Sequence, residues 1–282
     1  MTINGIVLIN KERGVSSNSV VNKVKYLLKA DKAGHLGTLD VLGEGLLPVT
    51  LGKGTKLFDY FLNKDKVYRT IYKFAETTDT LDLEGEVTAR NDVKVTSKMI
   101  ENILPDFVGK QAQMPPKYSA KKINGQTAYS MAREGKDFQL KPKEIEIYSI
   151  KLIKEISENT FEFEIHCSSG TYIRSLCRDI AEKMSTFGVM SYIQRTKCGD
   201  FYLQDSFSMQ DIKDNKYKII ELDTLFNYPK VCLDQFQADK LLNGCEIDIN
   251  LENCKIRTYK NEKFLGICNV KDKKAKIELR LI

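Results

Sequence analysis

Asp40 closes the run Gly34-His-Leu-Gly-Thr-Leu-Asp40, and Gly43 and Gly45 follow it. Glycines admit positive φ and let a substrate come close to the backbone, so a carboxylate among them is placed for chemistry on a ligand. Aspartate also favours turns through its own hydrogen bonds, and this pattern alone suits an Asx-type turn equally well. Other chemistries have little to work with. The only histidines are His35 and His166. His166 adjoins Cys167 in a predicted strand, where neighbouring side chains face opposite ways and do not share a metal, so it reads as structural. Neither histidine has HExxH spacing, and there is no GxSxG elbow. The stretch from Leu51 to Lys56 looks like part of a phosphate loop, but the leading glycine that motif requires is Leu47 here. No GxGxxG joins a strand to a helix, so a dinucleotide is unsupported. What chemistry remains is what a lone carboxylate can do without a cofactor or a metal, and at this point a site and a turn stay equally open.

The elements that must hold this loop can be read from periodicity. Ser16, Ser17, Asn18 and Ser19 offer N-cap oxygens, and Val20, Val21, Val24, Leu27 and Leu28 then form one helical face. The N-terminus reads as strand, turn, helix. Tyr68, Thr70, Tyr72 and Phe74 alternate with Val67, Arg69, Ile71 and Lys73, as a strand of period two requires. Further strands are expected from Ile145 to Ile153 and from Phe161 to Cys167, with a hairpin turn at Ser157, Glu158 and Asn159. After the second, Ser168 to Thr171 make a tight turn into a helix whose apolar face is Ile173, Leu176, Cys177, Ile180, Ala181 and Met184. Arg174 and Arg178 lie on its other face. Short strands near Cys254 to Thr258, Phe264 to Asn269 and Lys276 to Leu281 follow Pro229, where a domain boundary is placed. Without regular βαβ alternation or an internal repeat, the class is α+β on a largely antiparallel sheet.

A chain of 282 residues suits one large and one small domain. Its composition, 42% hydrophobic and 29% charged, is that of an ordinary globular protein without low-complexity tracts. The net charge of +6 says little by itself, but the window from Gly109 to Lys136 holds six basic residues and one acidic. That window reads as an irregular basic loop with Tyr118 and Tyr129 interleaved. Lysine runs are commonly just solvated surface. Aromatic faces among basic side chains are also what unpaired nucleotides bind. The apolar run from Ile6 to Ile9 is too short for a signal or a membrane span, so a cytoplasmic protein with no membrane contact is expected. Seven cysteines without a CxxC pair fit neither a disulfide framework nor a zinc ribbon, and read as reduced, structural thiols.

The loop from Gly34 to Asp40, followed by Gly45-Leu-Leu-Pro-Val, resembles the catalytic block of the TruB family of tRNA pseudouridine-55 synthases. Four further blocks resemble that family in order and spacing. They are Asn4 to Lys11 with Gly14 to Ser17; Lys66 to Arg69 with Thr77, Asp79, Glu84 and Gly85; Gln113 to Lys121 with Gly125, Ala128, Tyr129, Ala132 and Arg133; and Ser169 to Leu176 with Ile193 to Thr196. The resemblance covers residues 4 to 199, and the tail after Pro229 resembles a PUA-like domain only loosely. It departs at Val41, at Gly43-Glu44 and at Glu12. Glu44 would raise the pKa of Asp40 if it turned inward, and is expected to face solvent.

The resemblance implies a pseudouridine-synthase fold: a mixed, largely antiparallel sheet core flanked by helices in residues 1–228, and a small β-rich PUA-like domain in 229–282. It implies isomerisation of the T-loop uridine of tRNA, position 55, on an extruded base. Asp40 would act at ribose C1′ or C2′. Tyr68 would stack on the uracil, Arg174 would pair with Asp40, Tyr172 and Ile193 would wall the base pocket, and His35 would help fill the vacated stack. The basic insertion 109–136, with Lys117, Lys121 and Lys122, would grip the T stem-loop, and the enzyme would act as a monomer without an obligate protein partner. Three rivals stand beside this reading. One is a base-excising glycosylase using Asp40 with Glu44, since glycosidic hydrolysis normally takes two carboxylates. Another is a non-catalytic RNA-binding module or tRNA-folding chaperone, and the last is the guide-RNA-dependent relative acting on ribosomal RNA.

Overall fold

The computed structural model describes residues 3–119, 121–123 and 125–282, and the side chains of Leu62, Lys122, Ile123 and Tyr129 lie outside what it describes. In chain order the elements are β1 (Gly5–Lys11), α1 (Ser17–Leu27), β2 (Ala33–His35), β3 (Glu44–Leu51), α2 (Phe58–Leu62), β4 (Lys66–Phe74), β5 (Glu76–Thr78) and β6 (Val87–Arg90). There follow α3 (Ser97–Ile103), β7 (Gly109–Gln113), β8 (Lys122–Ile123), β9 (Gln126–Thr127), α4 (Ala128–Arg133), β10 (Lys143–Ser157), β11 (Thr160–Cys167), α5 (Ile173–Lys183), β12 (Gly188–Cys198) and β13 (Phe201–Tyr202). The chain ends with α6 (Met209–Lys213), β14 (Lys230–Cys232), α7 (Gln235–Leu242), β15 (Ile247–Asp248), β16 (Cys254–Lys260), β17 (Lys263–Lys271) and β18 (Lys274–Arg280).

The main sheet runs β1-β3-β12-β4-β11-β10-β7, with β2 on β3 and β13 on β12. Among the described residues of this sheet, the β3–β12 pair is parallel and the other strand pairs are antiparallel. β4 lies near its centre because its alternation is nearly complete: Lys66, Tyr68, Thr70, Tyr72 and Phe74 are all buried, while Arg69 is exposed. Tyr72, Phe74, Phe161, Phe163 and Ile165 pack under α5, whose Leu176, Cys177, Ile180 and Ala181 are fully buried. On the other side α1 lays Val20, Val21 and Val24 against Val7, Ile9, Leu47 and Val49. A second sheet, β14-β16-β17-β18-β15, has its own core with α7. Its Ile267 and Leu281 also join Ile6, Leu8, Leu46 and Phe61 in a cluster shared with the main sheet.

Three side chains from regular elements fix the loop that carries Asp40. Ser17, the first residue of α1, is buried, and its hydroxyl donates to Leu39 O (2.7 Å) and accepts from Leu39 N (3.0 Å). Lys11, the last residue of β1, donates to Val15 O (2.6 Å) and to Val41 O (3.4 Å), tying the turn after β1 to the residue after Asp40. Arg195 of β12 is buried and donates to Leu46 O (2.8 Å), Gly37 O (3.1 Å) and Thr38 O (3.4 Å). Gly45 makes that approach possible. Its φ is +97°, and a Cβ there would lie 2.6 Å from Arg195 O.

Some expectations need correcting. Gly109 to Gln113 are not loop but an edge strand paired with Lys143 to Ile147 of β10. Its less exposed positions are Gly109, Gln111 and Gln113 rather than apolar residues, so the alternation that marks a half-buried strand is missing. Met114 to Ser119 carry no helix or strand, as expected, but the window then has the β8–β9 hairpin and α4, capped by the Thr127 hydroxyl. β10 is longer than expected, and its bulges against β11 break the simple period. Among the cysteines, Cys167, Cys177, Cys198 and Cys268 are buried, but Cys232 and Cys245 are exposed, so a structural role does not extend to those two. No helix among the described residues is long and apolar enough to cross a membrane.

Replacing Ser17 by Ala strands a buried N–H and a buried C=O, and is expected to lower stability by about 1–3 kcal/mol in urea unfolding. An unchanged midpoint would show that the Leu39 clamp is not needed. Burial pushes the Lys11 ammonium down to about 8 from 10.5, against the pull of Asp40. Between those pH values the unfolded chain keeps a proton that the folded chain has released, so this group's contribution to stability rises with pH across the window. Lys11→Met is therefore expected to flatten the change in urea midpoint between pH 8 and pH 10 relative to wild type. A variant whose midpoint tracks the wild type across that range refutes the assignment.

Candidate active site

Asp40 begins a turn, but not with its side chain. Its carbonyl accepts from Gly43 N at 3.0 Å, while the carboxylate is left for other partners and is partly exposed. The carboxylate stands where two cavities meet. A cavity of about 250 Å³ is lined by Asp40, Lys66, Tyr68, Tyr172, Ile193 and Arg195, among others. This is below the roughly 300–1,000 Å³ of drug-sized ligand sites, and suits one small ring. A broader cleft of about 620 Å³ shares Asp40 and Arg174 with it, and adds His35, Asp79, Asp82, Tyr118 and Arg133.

Arg174, in the first turn of α5, is the partner of Asp40: its Nε lies 3.1 Å from Asp40 Oδ2. Nη1 meets Asp82 Oδ2 at 3.2 Å and Thr80 O at 3.0 Å, and Nη2 donates to Tyr118 O at 3.0 Å. Its side chain is only 10% exposed, so its place on the polar face of α5 does not put it in water. The turn around Asp82 and the segment around Tyr118 cover it. Asp82 is in turn held by Thr80 Oγ1 (2.7 Å) and Glu84 N (3.1 Å). Arg178, one turn later, does stay at the surface and pairs with Asp179 at 2.6 Å.

Tyr68 and Ile193 project from neighbouring strands, and Tyr172 from the residue that caps α5. Burial pushes the Tyr68 phenol well above its ordinary value, with the Arg195 charge pulling the other way, so it is a neutral donor at any physiological pH. Burial likewise pushes the Tyr172 phenol up. His35 ends β2 and faces the broad cleft. Burial, helped by the Arg195 charge, pushes its pKa below 6.5, which leaves the ring neutral at pH 7. Its Nδ1 is buried without a hydrogen-bond partner among the described residues. A neutral, flat, poorly solvated ring is suited to stacking.

Glu44 does not face solvent as expected. It is half-buried, its carboxylate accepts from Tyr192 Oη (2.7 Å) and Gln194 Nε2 (3.2 Å), and it lines neither cavity. The polar side chains of β12 beside the parallel β3–β12 contact give it partners that the sequence did not show. Lys117 and Lys121 of the insertion line neither cavity. Lys117 is exposed, Lys121 donates to Lys141 O at 3.0 Å, and the Lys122 side chain lies outside the described residues. Other residues of that segment, Tyr118, Ser119, Thr127 and Arg133, do line the broad cleft. His166 bonds Asp65 at 2.6 Å, away from both cavities, while Cys167 points into the core. No group of histidine, cysteine and carboxylate side chains suited to a metal occurs among the described residues. Sequence reasoning missed Asp82, Lys11 and Arg195 as parts of the site; the one signal was that Lys11 and Arg195 fall inside two of the matching blocks.

Residues 25–173 match the family model for TruB family pseudouridylate synthase, N-terminal domain, and residues 174–230 match that for the tRNA pseudouridylate synthase B C-terminal domain. A relative called tRNA pseudouridine synthase B from Caldanaerobacter subterraneus is 36% identical over 271 residues, covering 95% of each chain. Another of that name, from Francisella philomiragia, is 38% identical over 276 residues, covering 95% of this chain and 91% of its own. Among solved structures, a Cbf5-Nop10-Gar1 complex aligns with 99% of this chain and 85% of that one, at a TM-score of 0.70 and 20% identity. An H/ACA RNP bound to a substrate RNA containing 2′-deoxyuridine aligns with 99% and 85%, at 0.69 and 18%. At such identities these two show the fold alone: a pseudouridine-synthase sheet flanked by helices. With matching models over most of its length and relatives above 35% identity, the chain belongs to the TruB family of pseudouridylate synthases.

Proposed function

We propose that this chain isomerises uridine to pseudouridine in tRNA, at the T-loop uridine of position 55. The observation that carries the reading is Asp40 itself, paired with a buried arginine at the mouth of a cavity sized for one ring. The family and the relatives called tRNA pseudouridine synthase B support it. The reaction breaks the C1′–N1 bond, turns the uracil and joins C5 to C1′, so atoms and electrons balance within the substrate. Asp40 acts at the ribose, as nucleophile at C1′ or as base at C2′. Tyr68, Tyr172 and Ile193 hold the ring while it turns, Tyr68 stacking on it. Arg174 fixes the orientation of the carboxylate. The base leaves its stack first, at a cost of a few kcal/mol, and His35 takes part of the vacated space.

Residues 1–228 form the catalytic domain in this reading, and 229–282 a small PUA-like domain. The segment 109–136 grips the phosphates of the T stem-loop through Lys117, Lys121 and Lys122. The protein works in the cytoplasm as a monomer, without an obligate protein partner. Glu44, occupied by Tyr192 and Gln194, is not presented as the second carboxylate that glycosidic hydrolysis would need.

The deciding experiment incubates the protein with T-arm RNA tritiated at uridine C5. Wild type is expected to release label and retain pseudouridine in the RNA, while Asp40→Asn loses about 10⁴-fold or more of the rate. Free uracil as product, or label release by the variant at the wild-type rate, overturns the proposal. Removing charge at Lys117, Lys121 and Lys122 is expected to weaken RNA binding and flatten its salt dependence, by about 0.7–0.9 in the log–log slope per lost phosphate contact. Single-turnover chemistry on saturating RNA stays near wild type. Unchanged affinity across 50 to 200 mM salt counts against the role of these lysines.

A further inference from the structure

Gln113 is the last residue of β7, it is 2% exposed, and among the described residues its side chain bonds to Tyr172. Its Nε2 donates to Tyr172 O at 3.1 Å, and its Oε1 accepts from Tyr172 N at 2.8 Å. The amide thus repeats with a side chain the two-bond exchange by which strands pair. Tyr172 is where this matters. It caps α5 with no side-chain cap bond of its own, and its carbonyl also accepts the first helical bond, from Leu176 N at 3.0 Å. Gln113 therefore sets the residue at which α5 begins, and with it the Tyr172 ring in the base-sized cavity and Arg174 two residues on.

The same joint holds the basic segment. The chain leaves β7 at Gln113, and the carbonyls of Met114 and Tyr118 accept from Arg178 Nη2 (3.1 Å) and Arg174 Nη2 (3.0 Å). The first two turns of α5 grip the root of the segment, and the root, through Gln113, grips the start of α5. We propose that Gln113 is a positioning residue: it holds the Tyr172 wall and the Arg174–Asp40 pair in register with the segment that closes on RNA, and so links RNA engagement to the chemical step. The second half of this statement rests on the proposed function; the first, that Gln113 fixes the start of α5, does not.

Gln113→Glu tests it with one atom changed. A glutamate still accepts from Tyr172 N, but its charged form sets a carboxylate oxygen against Tyr172 O, whereas its protonated form regains the donor. Burial raises a carboxyl pKa, up to about 8–9 in documented cases, so the defect is reversible with pH. At pH 9 the variant is expected to show at least about a tenfold lower single-turnover rate on saturating T-arm RNA than wild type, with RNA affinity within about twofold. Acidification to pH 6 brings the ratio of variant to wild type back to within about threefold. Gln113→Met, which keeps the volume and neither bond, is expected to lose rate by a similar factor with no recovery on acidification. Circular dichroism at both pH values checks that each variant is folded.

A purely structural role would lower melting temperature without this pH-dependent rate ratio. Wild-type rates in both variants, loss of affinity alone, or a Gln113→Glu defect that acid does not relieve overturns the proposal. Hydrogen exchange at the Tyr172 amide needs no activity: protection lost in Gln113→Met, and regained with acid in Gln113→Glu, supports the joint even if the RNA assay shows wild type itself inactive. Protection unchanged in both variants sinks the joint whatever the activity.

Discussion

A guanidinium taken out of water has to be met by acceptors on every side, and in this protein that requirement organises the site. Arg174 has five N–H donors in a rigid fork and no way to lose its charge. Removing any one acceptor leaves a desolvated donor, which costs more than the bond contributes when made. The acceptors here come from three places far apart in sequence: Asp40 on the loop after β2, Asp82 and Thr80 on the turn between β5 and β6, and Tyr118 in the segment after β7. The arginine is thus the point at which the Asp40 loop, the acidic turn and the basic segment acquire fixed positions relative to one another. Of the two carboxylates Asp40 is the less buried, so it is the one left able to face a ligand.

Holding Asp40 at that distance takes more than the ion pair. Polar side chains reach the backbone of its loop from three sides: Lys11 from β1, Ser17 from α1 and Arg195 from β12. Each is itself buried, so each bond is made in a poorly solvated setting where an unmade one is expensive. Glycine has a specific part in this. At Gly45 a side chain would collide with Arg195, so the glycine is what lets β12 run close enough for its arginine to reach the loop. The glycines around Asp40 therefore serve packing as well as access for a substrate.

Much of this arrangement was legible in the sequence, and the parts that were not have physical reasons. Helix α1 announced itself by its serine cap and valine spacing, β4 by its period of two, and α5 by a clean apolar face. β12 carries Ile193 and Arg195 yet gave no strand signal of its own, because bulges at Met190/Tyr192 and Arg195/Lys197 break its alternation. β7 is short and half-solvated, so it looked like the loop that follows it. Asp82 was invisible for a different reason. A buried carboxylate is defined by its partner, and Arg174 lies 92 positions away in the chain, on a helix face that reads as solvent-exposed until the rest of the fold covers it. The ordered blocks pointed to the family, but only geometry says that Glu44 is taken up by Tyr192 and Gln194.

The charge distribution around the cleft carries the argument one step further. Its wall from the β5–β6 turn presents Asp79, Asp82, Glu84 and Glu86, and Arg133 of α4 also lines it, in the same segment that carries Lys117, Lys121 and Lys122. Asp82 is neutralised by Arg174, but the others leave that wall negative. Under the proposed function, a polyanion entering the cleft is repelled by the acidic wall and attracted by the basic segment, so its backbone is directed along that segment while a base, which carries no charge, is the part that approaches Asp40. Electrostatics of this kind select orientation and suppress wrong poses more than they add affinity. Under the proposed function, the acidic wall, which looks misplaced in a protein that handles RNA, keeps phosphates away from the one carboxylate that must reach a ribose.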